Sequence, residues 1–461
     1  MQKSTALIAI YQILEQELHI PQISAFSETA RLNEDLYLDS VLVMQLLVSL
    51  ELELGLAVPD NALNQKDFAT VGDLADFIIR QSNTSKTIEY TNVNQQTLEQ
   101  TTDSQHSLQK QSPEQEFEDI KVHCFVSCIC EIIKQDERVD HRPFYFGVWD
   151  AEIIIDDHAC LAYHGQNINH DFFRHWYEKL YSVSITPWYD HNRSKDNNIN
   201  TLLTHLENKT DSQHIMVMLD LYRLPERDNK FNQNPFPHYV LLEPTEDPES
   251  WFMSDPDFRW EGTMDKSQIL YAIESTDVAG GYIFDSNSIR PSSQQAIQDY
   301  FLACFNDEHN PLTDSIRQVI AVHTGKDSRH IPENLDDALK QLPVLAIRKY
   351  AYEHGFAFFW RALQLNDNEF ESLCDVIEEL VSSYKQIQYR AIKIANQCRN
   401  GSSVDQTLLA EIYTLLNQQD EREFTIKFRL LEVFQQWQQT LKVPQQPFIP
   451  LLTQADMVAK A

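Results

Sequence analysis

The 461-residue sequence predicts a multidomain fold: a small all-α domain, a flexible linker, an α+β domain and a helical C-terminal region. Three observations predict it. Residues 1–82 repeat apolar side chains at helical spacing. Residues 83–115, "NTSKTIEYTNVNQQTLEQTTDSQHSLQKQSPEQ", are rich in Gln, Thr, Ser and Asn and poor in large apolar residues. Residues 116–295 mix helical and strand-like runs, and helical periodicity returns over 296–461. A chain of this length also exceeds what one core accommodates.

In the first domain, "NEDLYLDSVLVMQLLVSLELELGLAVPD" (33–60) places Leu42, Val43, Leu46, Leu47, Leu50 and Leu54 on one apolar stripe, which predicts a four-helix-type amphipathic helix. Ser40 stands at or beside its N-cap. Asp39 adds an acid near the positive helix end. A serine in that place is an ordinary cap until other evidence speaks. The linker buries too little to offset its ordering entropy and predicts a tether of about 30 Å r.m.s. span.

In the α+β domain, strands are expected at "RPFYFGVW", "AEIIID", "HIMVMLDLY", "HYVLLE", "SWFMSDP" and "GGYIFD". The C-terminal region reads as helices through "DDALKQLPVLAIRKYAYEHG", "NEFESLCDVIEELVSSYKQIQYRAIKIANQ" and "EREFTIKFRLLEVFQQWQQTL". Prolines 444, 447 and 450 predict an extended tail.

The net charge of −32 carries no basic footprint, which argues against nucleic acid and anionic membrane as partners. It suits cationic partners such as amines, and equally a merely soluble acidic protein. Seven cysteines in this length are no disulfide framework. The N-terminal segment has acids and Gln within its apolar pattern, unlike a signal peptide, and no apolar run approaches a membrane span. A cytoplasmic location is expected.

Nucleophilic cysteine chemistry needs a thiolate, a base to form it and a group to orient that base. "DIKVHCFVSCICEII" puts Cys124 at a predicted helix start, where the helix dipole favours a thiolate. Cys128 and Cys130 fit small buried apolar positions, and no Cys/His knuckle supports a metal site. His238 opens the strand "HYVLLE", and Asp255-Pro256 ends the next one, so the two can meet over one cleft. A histidine at a strand end is otherwise an ordinary edge residue. His123 is a positioning or oxyanion candidate set against an ordinary helix-start histidine. Asp220 and Tyr222 are substrate-facing candidates set against plain strand-end residues. Trp149, Tyr163 and Trp360 read as core.

Residues 1–82 resemble the acyl or peptidyl carrier protein family. The resemblance rests on Asp39-Ser40-Val41, the preceding "EDLYLD", Gly55, Pro59 and Val71-Gly72-Asp73 in "FATVGDLADFI". Tyr37-Leu38 departs from it, standing where many relatives have a glycine ahead of the aspartate. The resemblance implies a 4′-phosphopantetheine arm on Ser40 that holds an acyl thioester, a phosphopantetheinyl transferase to install it, and an adenylating or other acyl-loading enzyme.

The order helix-borne Cys, strand-borne His, next-strand Asp looks papain-like. More narrowly, residues 118–290 resemble the butirosin biosynthesis H-type acyltransferase family through His123-Cys124, Asp220-x-Tyr222-x-Leu224-Pro225, His238-Tyr239 and Asp255-Pro256. "HGFAFFWRAL" resembles an element of that family's C-terminal part. The family's glycine-rich strand retains only Gly147 here, and its glycine before the "D-x-Y" strand is absent, which points to a diverged acceptor pocket.

The two resemblances together imply acyl transfer from the Ser40 thioester through Cys124 to an amine, as in siderophore or lipopeptide assembly. His238 would handle the proton and Asp255 would fix the imidazole. Two other readings stay open at this point: a thioesterase or cyclase, and a non-catalytic scaffold that docks a carrier.

Overall fold

The computed structural model describes residues 1–88 apart from 21, 39, 57, 60–62 and 64–68, and residues 123–441 apart from 166–169, 226, 228–232 and 326–328. Asp39, most of the expected linker and the proline-bearing tail lie outside the described residues. The chain divides into two compact units, Met1–Ile120 and Lys121–Ala461. No helix among the described residues is long and apolar enough to cross a membrane.

The first unit contains α1 (Lys3–Gln16), α2 (Ser40–Leu54) and α3 (Val71–Ile88). These are three α-helices among the described residues, against an expected four-helix domain. Ser40 is the first residue of α2. The helix is buried on more than the expected stripe, since Val41, Met44 and Val48 join Val43, Leu46, Leu47 and Leu50 in the core. A helix buried on more than one stripe presents an apolar surface wider than a single seam. Gly55 ends it with φ +61°, the left-handed conformation of a C-terminal cap.

Tyr37, one of the two residues that depart from the carrier pattern, adopts φ +53°. The departure from the carrier pattern therefore falls on a backbone position that glycine would occupy without strain. "TVGD" forms the entry to α3. The Thr70 Oγ1 accepts from Asp73 N at 3.2 Å, and Thr70 N donates to Asp73 Oδ2 at 3.0 Å, a reciprocal cap. Gly72 N donates to Glu28 O at 2.9 Å, and a Cβ there would lie 2.9 Å from that same oxygen. α3 runs on to Ile88, beyond the expected domain end at residue 82.

The second unit begins with α4 (Cys124–Ile133), followed by β1 (Ile154–Ile155), β2 (Leu161–Ala162), α5 (Asp171–Tyr181), β3 (Thr186–Pro187) and α6 (Lys195–Glu207). Next come β4 (Gln213–Asp220), β5 (Pro237–Pro244), β6 (Ser250–Asp255), β7 (Trp260–Asp265), α7 (Lys266–Ile273) and β8 (Gly281–Asp285). Strands pair antiparallel in the order β3-β8-β4-β5-β6-β7, and β1 pairs with β2 separately.

Four of the six expected strands are present as β4, β5, β6 and β8, and "AEIIID" yields only the short β1. "RPFYFGVW" is instead a 3-10 helix over Arg142–Gly147. Pro143 suits its first turn, and Phe144, Tyr145 and Phe146 are all buried, so the alternation a one-faced strand needs is missing. Gly147 is required there: a Cβ would lie 2.4 Å from the Tyr300 hydroxyl that accepts from Gly147 N.

The sheet is covered on both faces. Ile215, Val217 and Leu219 with Val240 and Leu242 pack on Leu202 and Leu206 of α6 and Ile269 and Ala272 of α7. On the other face Phe125 of α4 meets Tyr239 and Tyr282 at ring distances of 5.8 and 5.2 Å. This is the period of two that places alternate strand residues on opposite faces.

The helical region follows as α8 (Gln294–Cys304), α9 (Pro311–His323), α10 (Leu335–Ala338), α11 (Leu342–Ala346), α12 (Ala351–Leu363), α13 (Asp367–Arg399) and α14 (Gln406–Thr440). α13 and α14 form a long hairpin whose return is capped by Asp405, which accepts from Thr407 N and Leu408 N. Helix α12 packs on the Arg142–Gly147 turn, so this region shares a core with the sheet domain.

Candidate active site

Cys124 is the first residue of α4, with His123 at the N-cap in extended conformation (φ −165°, ψ 107°). The first bond within the helix runs from Ser127 N to His123 O at 2.8 Å, so the N–H groups of Cys124, Phe125 and Val126 precede the helical ladder. Such donors at a positive helix end are suited to a thiolate or an oxyanion. The thiol is partly accessible, whereas Cys128 and Cys130 are buried. Cys128 donates to Tyr239 O, and burial first, then the Cys124 charge, pushes its thiol well up. These two occupy the inert positions expected of them.

The helix start is held from the sheet side. Asp257 Oδ1 accepts from His123 N at 3.0 Å and from Ser127 Oγ at 2.8 Å. It lies in the 3-10 turn Pro256–Phe258 that directly follows β6.

His238, the second residue of β5, is buried, and its Nε2 is 2.8 Å from Asp255 Oδ1 at the end of β6. Cys124 is near enough to the imidazole to act on it electrostatically. Burial works against a charged His238. The Asp255 charge and hydrogen bond, with the influence of Cys124 added, overcome it and raise the imidazole well above the usual histidine range. Asp255 has the matching environment: burial would raise its carboxyl, but His238 and Arg227 hold it low. The three residues expected to cooperate are thus brought together.

Three further residues complete the surroundings. Arg227 Nη2 donates to Asp255 Oδ2 at 2.6 Å, with its guanidinium 4.0 Å over the Trp260 ring. Arg348 donates to Glu152 O at 2.9 Å and to Tyr163 O at 3.1 Å. Burial lowers its pKa to about 10, with Cys124 first among the groups pulling it back up. Tyr163 packs against the sheet core, as its reading as a core residue expects. It is only half-buried, donates to Pro237 O at 3.0 Å, and interacts electrostatically with Cys124, which, after burial, raises its phenol.

Nothing local in the sequence singles out Arg227, and Asp257 is signalled only by "DPD", which places two carboxylates in one turn. Arg348 left no local signal, because it comes from the helical region some two hundred residues downstream of Cys124.

The remaining candidates divide. The His123 ring is packed at 5.3 Å from Phe173 and its Nδ1 is buried without a hydrogen-bond partner among the described residues. Burial, then Arg348, pushes its pKa well down, so it is a neutral ring. Asp220 is buried and committed to structure, accepting from Phe236 N at 2.8 Å, Tyr222 N at 3.2 Å and Ser275 Oγ at 3.3 Å. Tyr222 is 50% exposed. Trp149 and Trp360 are buried as expected. No group of three or more His, Cys, Asp or Glu among the described residues is arranged to hold a metal ion.

A buried imidazole bonded to a carboxylate, near a helix-start thiol and helix N–H groups that precede the ladder, can carry nucleophilic acyl chemistry. For the carrier arm, the relevant observation is that Ser40 is the first residue of α2, at a positive helix end that suits a phosphate diester.

Comparison with known proteins assigns families to these units. Residues 9–78 match the phosphopantetheine attachment site model, residues 119–289 the DUF6005 N-terminal domain and residues 295–448 the DUF6005 C-terminal domain. Petrobactin synthase of Bacillus anthracis is 42% identical over 320 residues, covering 69% of this chain and 96% of that protein. Acyl carrier protein AsbD of the same organism is 37% identical over 78 residues, 17% of this chain and 86% of that protein. The first unit is accordingly a carrier domain whose cofactor is covalent 4′-phosphopantetheine. The chain belongs to the petrobactin synthase family, with a phosphopantetheine-bearing carrier domain ahead of its DUF6005 region.

Proposed function

We propose that this protein is a carrier-fused acyltransferase of siderophore biosynthesis, moving an acyl group from a phosphopantetheine thioester on Ser40, by way of Cys124, to an amine. The observation that carries the reading is the buried His238 imidazole, bonded at 2.8 Å to Asp255, with the helix-start Cys124 among the groups that act on it. Two proteins of one organism, a petrobactin synthase and an acyl carrier protein, have their counterparts here in one chain. The fusion raises the local concentration of the thioester near its acceptor thiol. The likeness to papain and to the butirosin H-type acyltransferases is part of the same proposal. Its support is the chain order of thiol, imidazole and carboxylate on helix, strand and next strand.

In this scheme Cys124 attacks the thioester carbonyl, His238 holds and returns the proton, and the N–H groups at the start of α4 receive the oxyanion. Asp255 keeps the imidazole oriented. The arm supplies a thioester, a better acyl donor than an ester or acid. A phosphopantetheinyl transferase and an acyl-loading enzyme are the partners the carrier domain requires, and the net charge of −32 suits a cationic amine as acceptor.

Intact-mass spectrometry of the chain after phosphopantetheinylation and loading tests the proposal. The arm should appear on wild type and be absent from Ser40→Ala. Loaded Cys124→Ala should keep its acyl group on the arm when amine is added, whereas wild type should discharge it as amide. Full amide formation by Cys124→Ala would overturn the role of the thiol, and rapid release of free acid without amine would turn the reading to a thioesterase.

A further inference from the structure

Asp255 carries two cationic groups, one on each oxygen: His238 Nε2 at 2.8 Å from Oδ1 and Arg227 Nη2 at 2.6 Å from Oδ2. Both partners and the carboxylate are almost fully buried, at 3%, 3% and 0% side-chain exposure, so solvent does little to screen them. The guanidinium is clamped at 4.0 Å over the Trp260 ring, and its backbone N–H is bonded to Leu224 O. An orienting carboxylate needs only one partner to fix an imidazole. The second, permanently charged one calls for a reason.

We propose that Arg227 is a positioning residue that balances the Asp255 charge, so that His238 can exist as a neutral base once Cys124 has been acylated. The inference rests on the acyl-Cys124 reading above. In the first half-reaction Cys124 Sγ bonds to the thioester carbonyl carbon, the carbonyl bond to the pantetheine sulfur breaks, and the thiol proton passes through His238 to the departing thiolate. In the second, the amine nitrogen bonds to the acyl carbon, the carbon–Cys124 bond breaks, and the amine proton passes through His238 to Cys124 Sγ. The second half-reaction starts only when His238 has an empty nitrogen to accept that proton.

The charges show why this is difficult without Arg227. Once the thiol proton has passed to His238, the thiolate and the imidazolium offset one another. Acylation removes the thiolate, and a buried Asp255 anion alone would then retain the proton on His238. With Arg227 on its second oxygen, Asp255 is neutralised whichever way the dyad proton moves.

The other groups facing His238 do not replace it. His123, at the start of α4, is held neutral by burial, then by Arg348. Asp257, in the turn after β6, is occupied with His123 N and Ser127 Oγ. Asp220, next to the β4 residue paired with His238, is occupied with Phe236 N and Tyr222 N. Phe236 and Phe258 flank the ring at 5.6 and 5.1 Å without charge. Arg348 lies toward Cys124 and is bonded to two carbonyls.

The test is titration of His238 by imidazole NMR in the full chain, with Cys124 blocked by methyl methanethiosulfonate to stand for the acyl-enzyme. Wild type, Arg227→Met and Arg227→Lys are compared, each checked for cooperative melting. His238 should titrate at least about one pH unit higher in Arg227→Met, leaving roughly tenfold less neutral imidazole at neutral pH, and Arg227→Lys should stay near wild type. An unchanged or lowered titration in folded Arg227→Met would overturn the proposal and leave Arg227 a structural residue. If Arg227→Met does not fold, Arg227→Gln takes its place with the same expectation. Should the reagent show no preference for Cys124 over the other cysteines in wild type, it is the acyl-Cys124 reading that fails, and not the role of Arg227 within it.

Discussion

Two clusters of buried charge sit in the larger unit, and they are built from similar parts for different ends. In the helical region Lys349 lies 2.9 Å from Asp150 and 2.6 Å from Glu423, and Lys427 lies 2.8 Å from Asp150. Lys349 also donates to Trp149 O, Lys427 to His309 O, and Tyr352 to Glu423. At the sheet end, Asp255 is shared by His238 and Arg227 beside Cys124.

Both clusters perturb their members. Asp150 is held low by its two lysines against burial, as Asp255 is by His238 and Arg227. The difference is that the helical cluster contains no nucleophile and ties α14 to the turn before β1, while the sheet-end cluster ends in an accessible thiol at a helix start. A perturbed buried acid therefore marks a site only where something reactive is placed beside it.

The largest effect should come from the thiol itself. Cys124→Ala is expected to lower amide formation by about 10⁴-fold or more while leaving the melting transition near wild type. The matching change in the other cluster, Lys349→Met, should do the reverse. It leaves Asp150 and Glu423 short of a buried cation and should cost about 3–5 kcal/mol, read as a lowered denaturation midpoint. Its activity should fall only as far as its folded fraction falls. Equal activity loss in both variants at a temperature where both are folded would abolish the distinction between the clusters.

A smaller effect sharpens the comparison within the site. Asp257 stabilises the start of α4 rather than the imidazole, so Asp257→Ala should cost about 1–3 kcal/mol through the unmet His123 N and Ser127 Oγ donors. Asp257→Asn keeps an accepting oxygen in the same place and should recover most of that stability. If Asn behaves like Ala in denaturant melts, the carboxylate charge matters there and the helix-start account is wrong.

The chemistry of the site was more legible in the sequence than its support. Cys124, His238 and Asp255, the proposed nucleophile, base and orienter, each have a residue type and a place at an element end that the sequence displays. Strands β4, β5, β6 and β8 were readable because long β-type runs declare themselves. "RPFYFGVW" misled because rings buried on all sides carry no alternation, and their composition alone favours a strand. β7, "WEGTMD", was missed because an edge strand with mostly partly exposed residues carries little apolar signal. Arg227, Asp257 and Arg348 act through tertiary contacts with residues 28 to about 220 positions away, a distance at which no local pattern reports.

The last and smallest prediction concerns a third perturbed acid, which should behave like the helical cluster and not like the site. Glu353 in α12 is pushed up to about 8, by burial first and then by the neighbouring Glu378, to which Tyr350 donates. The native state thus keeps a proton that the unfolded chain releases near the ordinary glutamate value of 4.5. Below that value the group is protonated in both states and costs nothing. As pH rises toward about 8 the unfolded state binds fewer protons than the native one, so this group makes stability fall with rising pH, and the loss levels off above that point. Glu353→Gln removes the slope. Its melting temperature relative to wild type should therefore climb between roughly pH 5 and 9, with acyl transfer unchanged wherever both are folded. A pH-independent offset would show that Glu353 is ionised throughout, and a loss of transfer in folded Glu353→Gln would mean that this acid too has a reactive partner.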